Sequence, residues 1–463
     1  MASSRAPGTL VSAPPRSLNR QILALAVPAF GALIAEPLLV LADSAIVGHL
    51  GSTPLAGLTL GSTVVQTVVG LMIFLAYATT PAVARAFGAG DLPAAYRAAR
   101  NGLWAALGLG ALLAALFVVA GRSVLTALGG SGCMLTHALA YLLPSLAGLP
   151  GMLLVLAATG ALRGFQDTKT PLYVATAGAA INVVLSWVLV YPVGLGVAGS
   201  AIATAAVQWG MGLVLSAKVL RGRGTHGVGL APDLAGCVAV FKVGSWLMLR
   251  ALCMRAALLA TVVVATSQGT ENLAAYQLTL SFFSLLAFAL DALAIAAQAL
   301  LGKEMGAQDV QSAAGRTAVH HLKNRLVRWS LGFGLFTALL APAVGFSLAW
   351  VFTPDAQVQH LFTLSLIIVG VGQPIAAYVF ILDGVLIGAA DMRYLGLASV
   401  FTLLTYLPVL AALHFWFTGQ GAAAQASLAT PAYLLLWCAY ALWYMGARAL
   451  TLWWRARSGV WVR

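Results

Sequence analysis

Six ionisable residues lie inside long apolar runs of this sequence, where a charge is costly and its presence needs a chemical reason. They are Glu36, Asp43, Arg250, Arg255, Asp291 and Asp383. A carboxylate in such surroundings can exchange a proton or hold a cation, and a buried cation usually needs an acidic partner. These residue types therefore favour ion exchange.

Asp43 is the leading candidate for an ion-coupling site. It lies near the end of the first apolar run, seven residues after Glu36 and on the same helical face. Pro28 and Pro37 interrupt this helix and permit a bend, because each removes a backbone hydrogen bond. Protonation of Asp43 would then change the preferred helix geometry. The alternative is a carboxylate that pairs or caps for structural reasons alone, and the same choice applies to Glu36.

Asn182 is the second candidate for the coupling site. Its amide, in the fifth apolar run, can donate to an ionised carboxyl or accept from a protonated one. We predict that it assists Asp43, with Ser186 one turn further on. An interhelical hydrogen bond without a role in coupling is equally open.

The second half of the chain carries both intramembrane cations, Arg250 and Arg255. Asp291 and Asp383 are their natural partners, and we expect at least one structural ion pair. Other polar side chains could face a substrate, although core packing explains each of them equally well. The candidates for the substrate cavity are Tyr276, Gln277, Arg250, Asp291, Gln298, Tyr378 and Asp383.

The composition requires a membrane environment for these residues. Of 463 residues, 61% are hydrophobic and 8% are charged, against about 25% charged in soluble domains. Long continuous apolar runs predict helices that cross the bilayer. The predicted spans are residues 22–49, 55–81, 102–120, 135–160, 171–192, 199–217, 241–267, 273–301, 329–352, 359–388, 395–416 and 428–447.

Lys and Arg fall on alternate loops, which predicts the orientation. With the N-terminus in the cytoplasm, inside segments hold 22 of the 25 basic residues, and Arg122 alone lies outside. We expect nearly all of the inside residues, such as Arg97, Arg100 and Arg325, to be solvated. Both termini are therefore predicted to be cytoplasmic, and the net charge of +13 needs no nucleic acid.

An internal repeat relates the two halves of the chain. Leu50–Asp91 aligns without gaps with Gln268–Asp309, and Gly160–Lys169 aligns with Gly384–Arg393. The matched glycines and aspartates carry more weight than the matched leucines and alanines. The repeat predicts two pseudo-symmetric six-helix bundles that face each other across a cavity. The predicted parts are a disordered cytoplasmic tail (1–20), an N-terminal lobe (21–220), a cytoplasmic linker (221–240), a C-terminal lobe (241–447) and a basic cytoplasmic tail (448–463).

Motifs of soluble enzymes and metal sites are missing from the sequence. There is no GxxxxGK[ST] loop for ATP, no HExxH and no cluster of His and Cys. The four cysteines have no metal or redox spacing and are expected to be packing residues. We therefore expect no enzyme, no metal and no cofactor, and a process that draws on an ion gradient.

Four motifs together resemble the multidrug and toxic compound extrusion (MATE) family, and its DinF-like branch in particular. They are Asp43–Gly51, Leu162–Pro171 followed by Ile181-Asn182, Ala296–Gly302, and Leu382–Ala389. The resemblance extends from about residue 20 to residue 450. It implies two six-helix lobes and export of drugs or metabolites in exchange for H⁺ or Na⁺.

The resemblance also implies site residues. The first-span acid of the family falls on Asp43, and its fifth-span asparagine falls on Asn182. The family pattern often has an aspartate where this chain has Ser186. This departure weakens a sodium site more than a proton site, because sodium needs several oxygen ligands while a proton needs one carboxylate.

We therefore expect a proton-coupled antiporter of the cell membrane, with Na⁺ as the second choice of ion. It would export small, often cationic organic molecules as a monomer. One alternative is a flippase or exporter for lipid-linked precursors or polysaccharides, which would need a strongly cationic cavity. Another is an intramembrane enzyme, for which His49 has no evident nucleophile partner.

Overall fold

Long helices make up the chain. The computed structural model describes residues 18–462, except for the side chains of Glu36 and Ala422. Within that range twelve helices are long and apolar enough to cross a membrane, so the predicted all-α architecture with twelve spans is confirmed. The helices are α1 (Leu18–Gly48), α2 (Ser52–Leu71), α3 (Phe74–Gly88), α4 (Leu92–Ala127), α5 (Gly132–Gly164), α6 (Lys169–Val190), α7 (Val197–Leu220), α8 (Leu234–Ser267), α9 (Thr270–Ala307), α10 (Ala313–Phe352), α11 (Ala356–Gly388), α12 (Met392–Thr418), α13 (Ala422–Cys438) and α14 (Met445–Ser458).

Two of the spans are interrupted helices. Helices α2 and α3 form the span Ser52–Gly88, and α13 and α14 form the span Ala423–Ser458 through a π-helical segment, Ala439–Tyr444. The predicted spans 55–81 and 428–447 end earlier than these helices, because hydropathy falls where charged residues begin whereas helical hydrogen bonding continues. For the same reason, most of the segment predicted as a basic tail (448–463) is helical.

The predicted tail and linker also differ from the structure. Residues 1–17 of the predicted disordered tail lie outside the described residues, and α1 already begins at Leu18. The predicted linker (221–240) contains a short 3₁₀ turn, Gly224–His226, and its last residues belong to α8, which begins at Leu234. The segment without an α-helix is therefore shorter than the sequence suggested.

The two lobes repeat the same helix packing. The N-terminal lobe comprises α1–α7, and the C-terminal lobe comprises α8–α14. In the first, a Cβ added at Gly160 of α5 would lie 2.6 Å from the carbonyl oxygen of Ala76. In the second, a Cβ at Gly384 of α11 would lie 2.4 Å from the carbonyl oxygen of Ala294. Because both pairs occupy matching repeat positions, the glycines of the repeat mark where two helices touch.

A second matched glycine pair sets the turns that precede α2 and α9. Gly51 has φ 123° and Gly269 has φ 104°, values that side chains on L-residues rarely adopt. Each lies immediately before the first residue of its helix. The repeat therefore preserves a turn conformation as well as a packing contact.

The lobes meet through a reciprocal contact at the ends of α3 and α9. A Cβ at Gly88 would lie 2.0 Å from the Lys303 carbonyl oxygen, and one at Gly306 would lie 1.9 Å from the Arg85 carbonyl oxygen. Residues 85 and 303, and residues 88 and 306, are equivalent in the repeat. Such an exchange of partners is what an approximate two-fold axis between the lobes produces.

Candidate functional site

Asp43 lies at the centre of a polar cluster inside the N-terminal lobe. It is located on α1, and only 4% of its surface is exposed. The Ser186 hydroxyl of α6 donates to Asp43 Oδ1 at 3.0 Å, and the Thr204 hydroxyl of α7 donates to Oδ2 at 3.1 Å. Both carboxylate oxygens therefore accept a hydrogen bond from a neighbouring helix.

Asn182 belongs to the same cluster but reaches Asp43 through another side chain. Its Nδ2 donates to Thr204 Oγ1 at 3.0 Å, while its Oδ1 lies 3.4 Å from Ser186 Oγ. Thr204 thus links the amide to the carboxylate. Sequence reasoning did not single out Thr204, because one threonine in an apolar run carries no signal until α7 is placed beside α1.

A cavity of about 210 Å³ opens beside this cluster. Asp43 and Thr204 line it, together with Gln66, Tyr141 and Gln208. One water molecule needs about 10–15 Å³ of such space, so the cavity can hold several. All of its lining residues belong to the N-terminal lobe. The sequence placed the chamber between the lobes, whereas the cavity that contains Asp43 lies within one of them.

The Asp43 carboxylate has no cationic partner among the described side chains. Among the side chains described between residues 18 and 462, the ion pairs are Arg250–Asp383, Arg448–Asp383 and Arg455–Asp391. The nearest groups to Asp43 are uncharged hydroxyls. Its charge is therefore open to neutralisation by a proton or a small cation.

Arg163 corrects one sequence prediction. It was expected in a cytoplasmic segment between two spans, but it lies in the last turn of α5, is 8% exposed and lines the same cavity as Asp43. The loop-like signal came from its neighbours Gly164 and Asp167, since hydropathy does not report which way an arginine at a helix end points. The cavity consequently has an acidic group and a basic group.

Asp383 holds two arginines in the C-terminal lobe. Arg250 Nη2 lies 2.6 Å from Asp383 Oδ2, and Arg448 contacts the same oxygen. The expected structural ion pair is thus formed by Arg250. The second cation that the sequence placed inside the membrane, Arg255, is exposed rather than buried. The second arginine at Asp383 is instead Arg448 of the predicted tail, which is 4% exposed. Helix α14, which continues the last span, packs against α11 and buries this arginine.

Asp291 makes a contact between the lobes. The Tyr77 hydroxyl of α3 donates to Asp291 Oδ2 of α9 at 3.2 Å, and Gln298 Nε2 donates to the Tyr77 carbonyl oxygen at 3.1 Å. A small pocket of about 20 Å³ lies beside these groups, and Arg250 and Asp383 also line it. These four candidates of the C-terminal lobe therefore gather at the boundary with the N-terminal lobe.

The remaining candidates lie elsewhere. Tyr276 is buried in the C-terminal lobe with its ring centre 5.4 Å from that of Trp437, Gln277 is exposed and Tyr378 is half-buried. None of the three lines the cavity at Asp43. The side chain of Glu36 lies outside the described residues. In the described part of the chain, no group of three or more His, Cys, Asp and Glu residues forms a candidate metal site.

Comparison with known proteins identifies related sequences. The MatE family model matches residues 28–188 and 247–411. DNA damage-inducible protein F of Escherichia coli is 29% identical over 412 residues, which cover 86% of this chain and 88% of that protein. Multidrug resistance protein MdtK of Edwardsiella ictaluri is 26% identical over 394 residues, which cover 81% and 82%.

Solved structures share the fold. A crystal structure of MATE in the bent conformation superposes with a TM-score of 0.83 at 20% identity and covers 95% of this chain and 96% of that chain. The Vibrio cholerae MATE transporter VcmN in the bent form also has a TM-score of 0.83, at 21% identity, with 96% and 98% covered.

Proposed function

Because this chain belongs to the MatE family of multi-pass membrane transporters, we propose that it exports small organic molecules in exchange for protons. It is a transporter and not an enzyme. One observation carries the proposal: the Asp43 carboxylate is buried without a cationic partner and faces a cavity. The MdtK relative, named as a multidrug resistance protein, supports small organic substrates.

The proposed coupling step is a change in the hydrogen bonds of Asp43. When ionised, the carboxylate accepts from Ser186 and Thr204. When protonated, it must donate through one oxygen, so one of these hydroxyls has to turn. Since they belong to α6 and α7 while Asp43 belongs to α1, protonation alters the contact between these helices. The same event removes the negative charge that attracts a cationic substrate.

Alternating access completes the proposal. The reciprocal contact at Gly88 and Gly306 closes the lobes at the membrane face that carries the N-terminus of α1, which we assign to the cytoplasm. Rocking of the lobes about this contact would open the cavity to one side at a time. The flippase alternative has less support, because Asp383 neutralises Arg250 at the boundary between the lobes.

The test is transport by purified protein in proteoliposomes. A proton gradient and a sodium gradient are imposed in separate experiments. We expect the proton gradient, and not the sodium gradient, to drive uptake of a cationic dye. Asp43→Asn should lower this rate at least about tenfold, because the amide cannot ionise. Asp309→Asn makes the same chemical change on an exposed loop and should transport normally.

Two results would contradict the proposal. Proton-driven transport by Asp43→Asn at the normal rate would remove Asp43 from the coupling step. Transport that a sodium gradient drives and a proton gradient does not affect would identify Na⁺ as the coupling ion. The oxygens of Asn182, Ser186 and Thr204 would then be tested as ligands of Na⁺.

A further inference from the structure

A lateral groove lies on the outside of the helix bundle, away from the cavity at Asp43. It has a volume of about 800 Å³ and runs between α1, α9 and α10. Its walls are apolar, and two residues of α1 project into it with large exposed fractions, 43% for Leu23 and 63% for Val27. Phe333 of α10 lies on the opposite wall. The apolar walls of the groove therefore suit contact with hydrocarbon chains.

One end of the groove is basic. Arg325 and Arg328 line it, and both side chains are exposed. Arg325 Nη2 and Trp329 Nε1 donate to Asn19 Oδ1 at 3.1 and 3.0 Å. No carboxylate in the described part of the chain forms an ion pair with either arginine. Two positive charges at this end thus have no acidic counterpart among the side chains that the structure describes.

The depth of the arginines matches the headgroup region of a bilayer. The stretch that follows Arg328, Trp329–Phe352, is helical and carries no charged residue. At about 1.5 Å per residue it extends about 36 Å, slightly more than the hydrocarbon core of about 30 Å. Trp329 next to Arg328 is a typical side chain for the membrane interface. The apolar walls then lie at the depth of the acyl chains.

From this arrangement we infer that the groove is a binding site for an anionic phospholipid. The phosphate contacts Arg325 and Arg328, and the acyl chains lie against Leu23, Val27 and Phe333. A soluble anion would leave the apolar walls uncovered. A phospholipid without net charge would leave both positive charges unbalanced, whereas an anionic phospholipid offsets at least one of them. Since α1 belongs to the N-terminal lobe and α9 and α10 to the C-terminal lobe, the lipid bridges the two lobes.

Native mass spectrometry of the full-length protein, delipidated in detergent, tests the charge requirement. Phosphatidylglycerol and phosphatidylcholine are titrated separately. We expect phosphatidylglycerol to bind more tightly and Arg325→Gln/Arg328→Gln to weaken it by roughly 30-fold, because each arginine near an anionic headgroup contributes about a factor of five. The control, Arg97→Gln/Arg221→Gln, removes two exposed arginines outside the groove and should bind normally.

A second variant tests the shape of the site without a change in charge. Gly332 lines the groove, and a Cβ added there would meet no atom within 4 Å. Gly332→Trp should therefore fold, fill the groove and reduce phosphatidylglycerol binding at least about tenfold, with folding checked by thermal unfolding. Equal binding of the two lipids, an arginine variant that matches its control, or normal binding by a folded Gly332→Trp would each overturn the inference.

Discussion

At the scale of residues, the two lobes use buried carboxylates in opposite ways. Asp43 accepts hydrogen bonds from neutral hydroxyls and faces a cavity. Asp383 is held by Arg250 and Arg448. A carboxylate among hydroxyls can change its charge at modest cost, whereas one between two arginines cannot, because its loss leaves like charges buried together. The first arrangement suits ion exchange and the second suits stability.

Asp383→Asn is accordingly expected to destabilise the protein strongly. Removal of the shared anion leaves Arg250 and Arg448 without a counter-ion, for an expected loss of about 3–5 kcal/mol in the free energy of unfolding. The matched control is Asp391→Asn, because the ion pair of Asp391 with Arg455 is more exposed. Loss of this pair should lower the free energy of unfolding by about 1 kcal/mol. Thermal unfolding in detergent measures both. Equal stability of the two variants would show that the arginines find other partners.

At the scale of helices, close contacts at glycine hold each lobe together. Helix α5 touches α3 at Gly160, and helix α11 touches α9 at Gly384. Small residues at such crossings let two backbones approach, which is how helices associate without a hydrophobic driving force inside a bilayer. The repeat therefore keeps the glycines at the helix contacts of both lobes, whereas the apolar side chains around them differ between the lobes.

Gly384→Ala and Gly160→Ala should both destabilise the protein, by about 1–3 kcal/mol, because the new methyl group would overlap a backbone carbonyl oxygen. The control is Gly108→Ala, where a Cβ would meet no atom within 4 Å. In that open position alanine should be neutral or stabilising, since it favours helix more than glycine. Unfolding temperatures measure the contrast, and a stabilising effect at Gly384 would contradict the packing argument.

At the scale of the whole molecule, the lobes touch through matched positions of the repeat. The contact at Gly88 and Gly306 and the hydrogen bond from Tyr77 to Asp291 both join α3 to α9. The glycine contact joins equivalent positions of the two lobes, whereas the repeat positions equivalent to Tyr77 and Asp291 are isoleucines, so the hydrogen bond occurs once.

Gly306→Leu should force the lobes apart at this contact, because its side chain would meet the Arg85 carbonyl oxygen. Spin labels at Arg97→Cys and Arg316→Cys, one on each lobe and both at exposed positions, would report a longer distance by pulsed electron paramagnetic resonance. Gly446→Leu lies in open space and should leave the distance unchanged. An unaltered distance in Gly306→Leu would mean that local rearrangement absorbs the leucine.

Sequence alone was sufficient for the spans and the repeat, and it singled out Asp43 as a candidate, because these depend on composition and on spacing along the chain. Apolar runs must be helical in a bilayer, and an acid within one stands out without knowledge of its neighbours. The equivalence of residues 51 and 269 was likewise visible as a spacing, although its reason, a shared turn conformation, was not.

Tertiary structure decided which side chains meet. Thr204 joined Asp43 only when α7 was placed beside α1, and Arg448 reached Asp383 only because α14 packs against α11. It also moved Arg163 from a predicted loop to the cavity and Arg255 from the interior to an exposed position. Such pairings depend on which helix faces turn toward each other across distant parts of the chain, and neither hydropathy nor spacing encodes that choice.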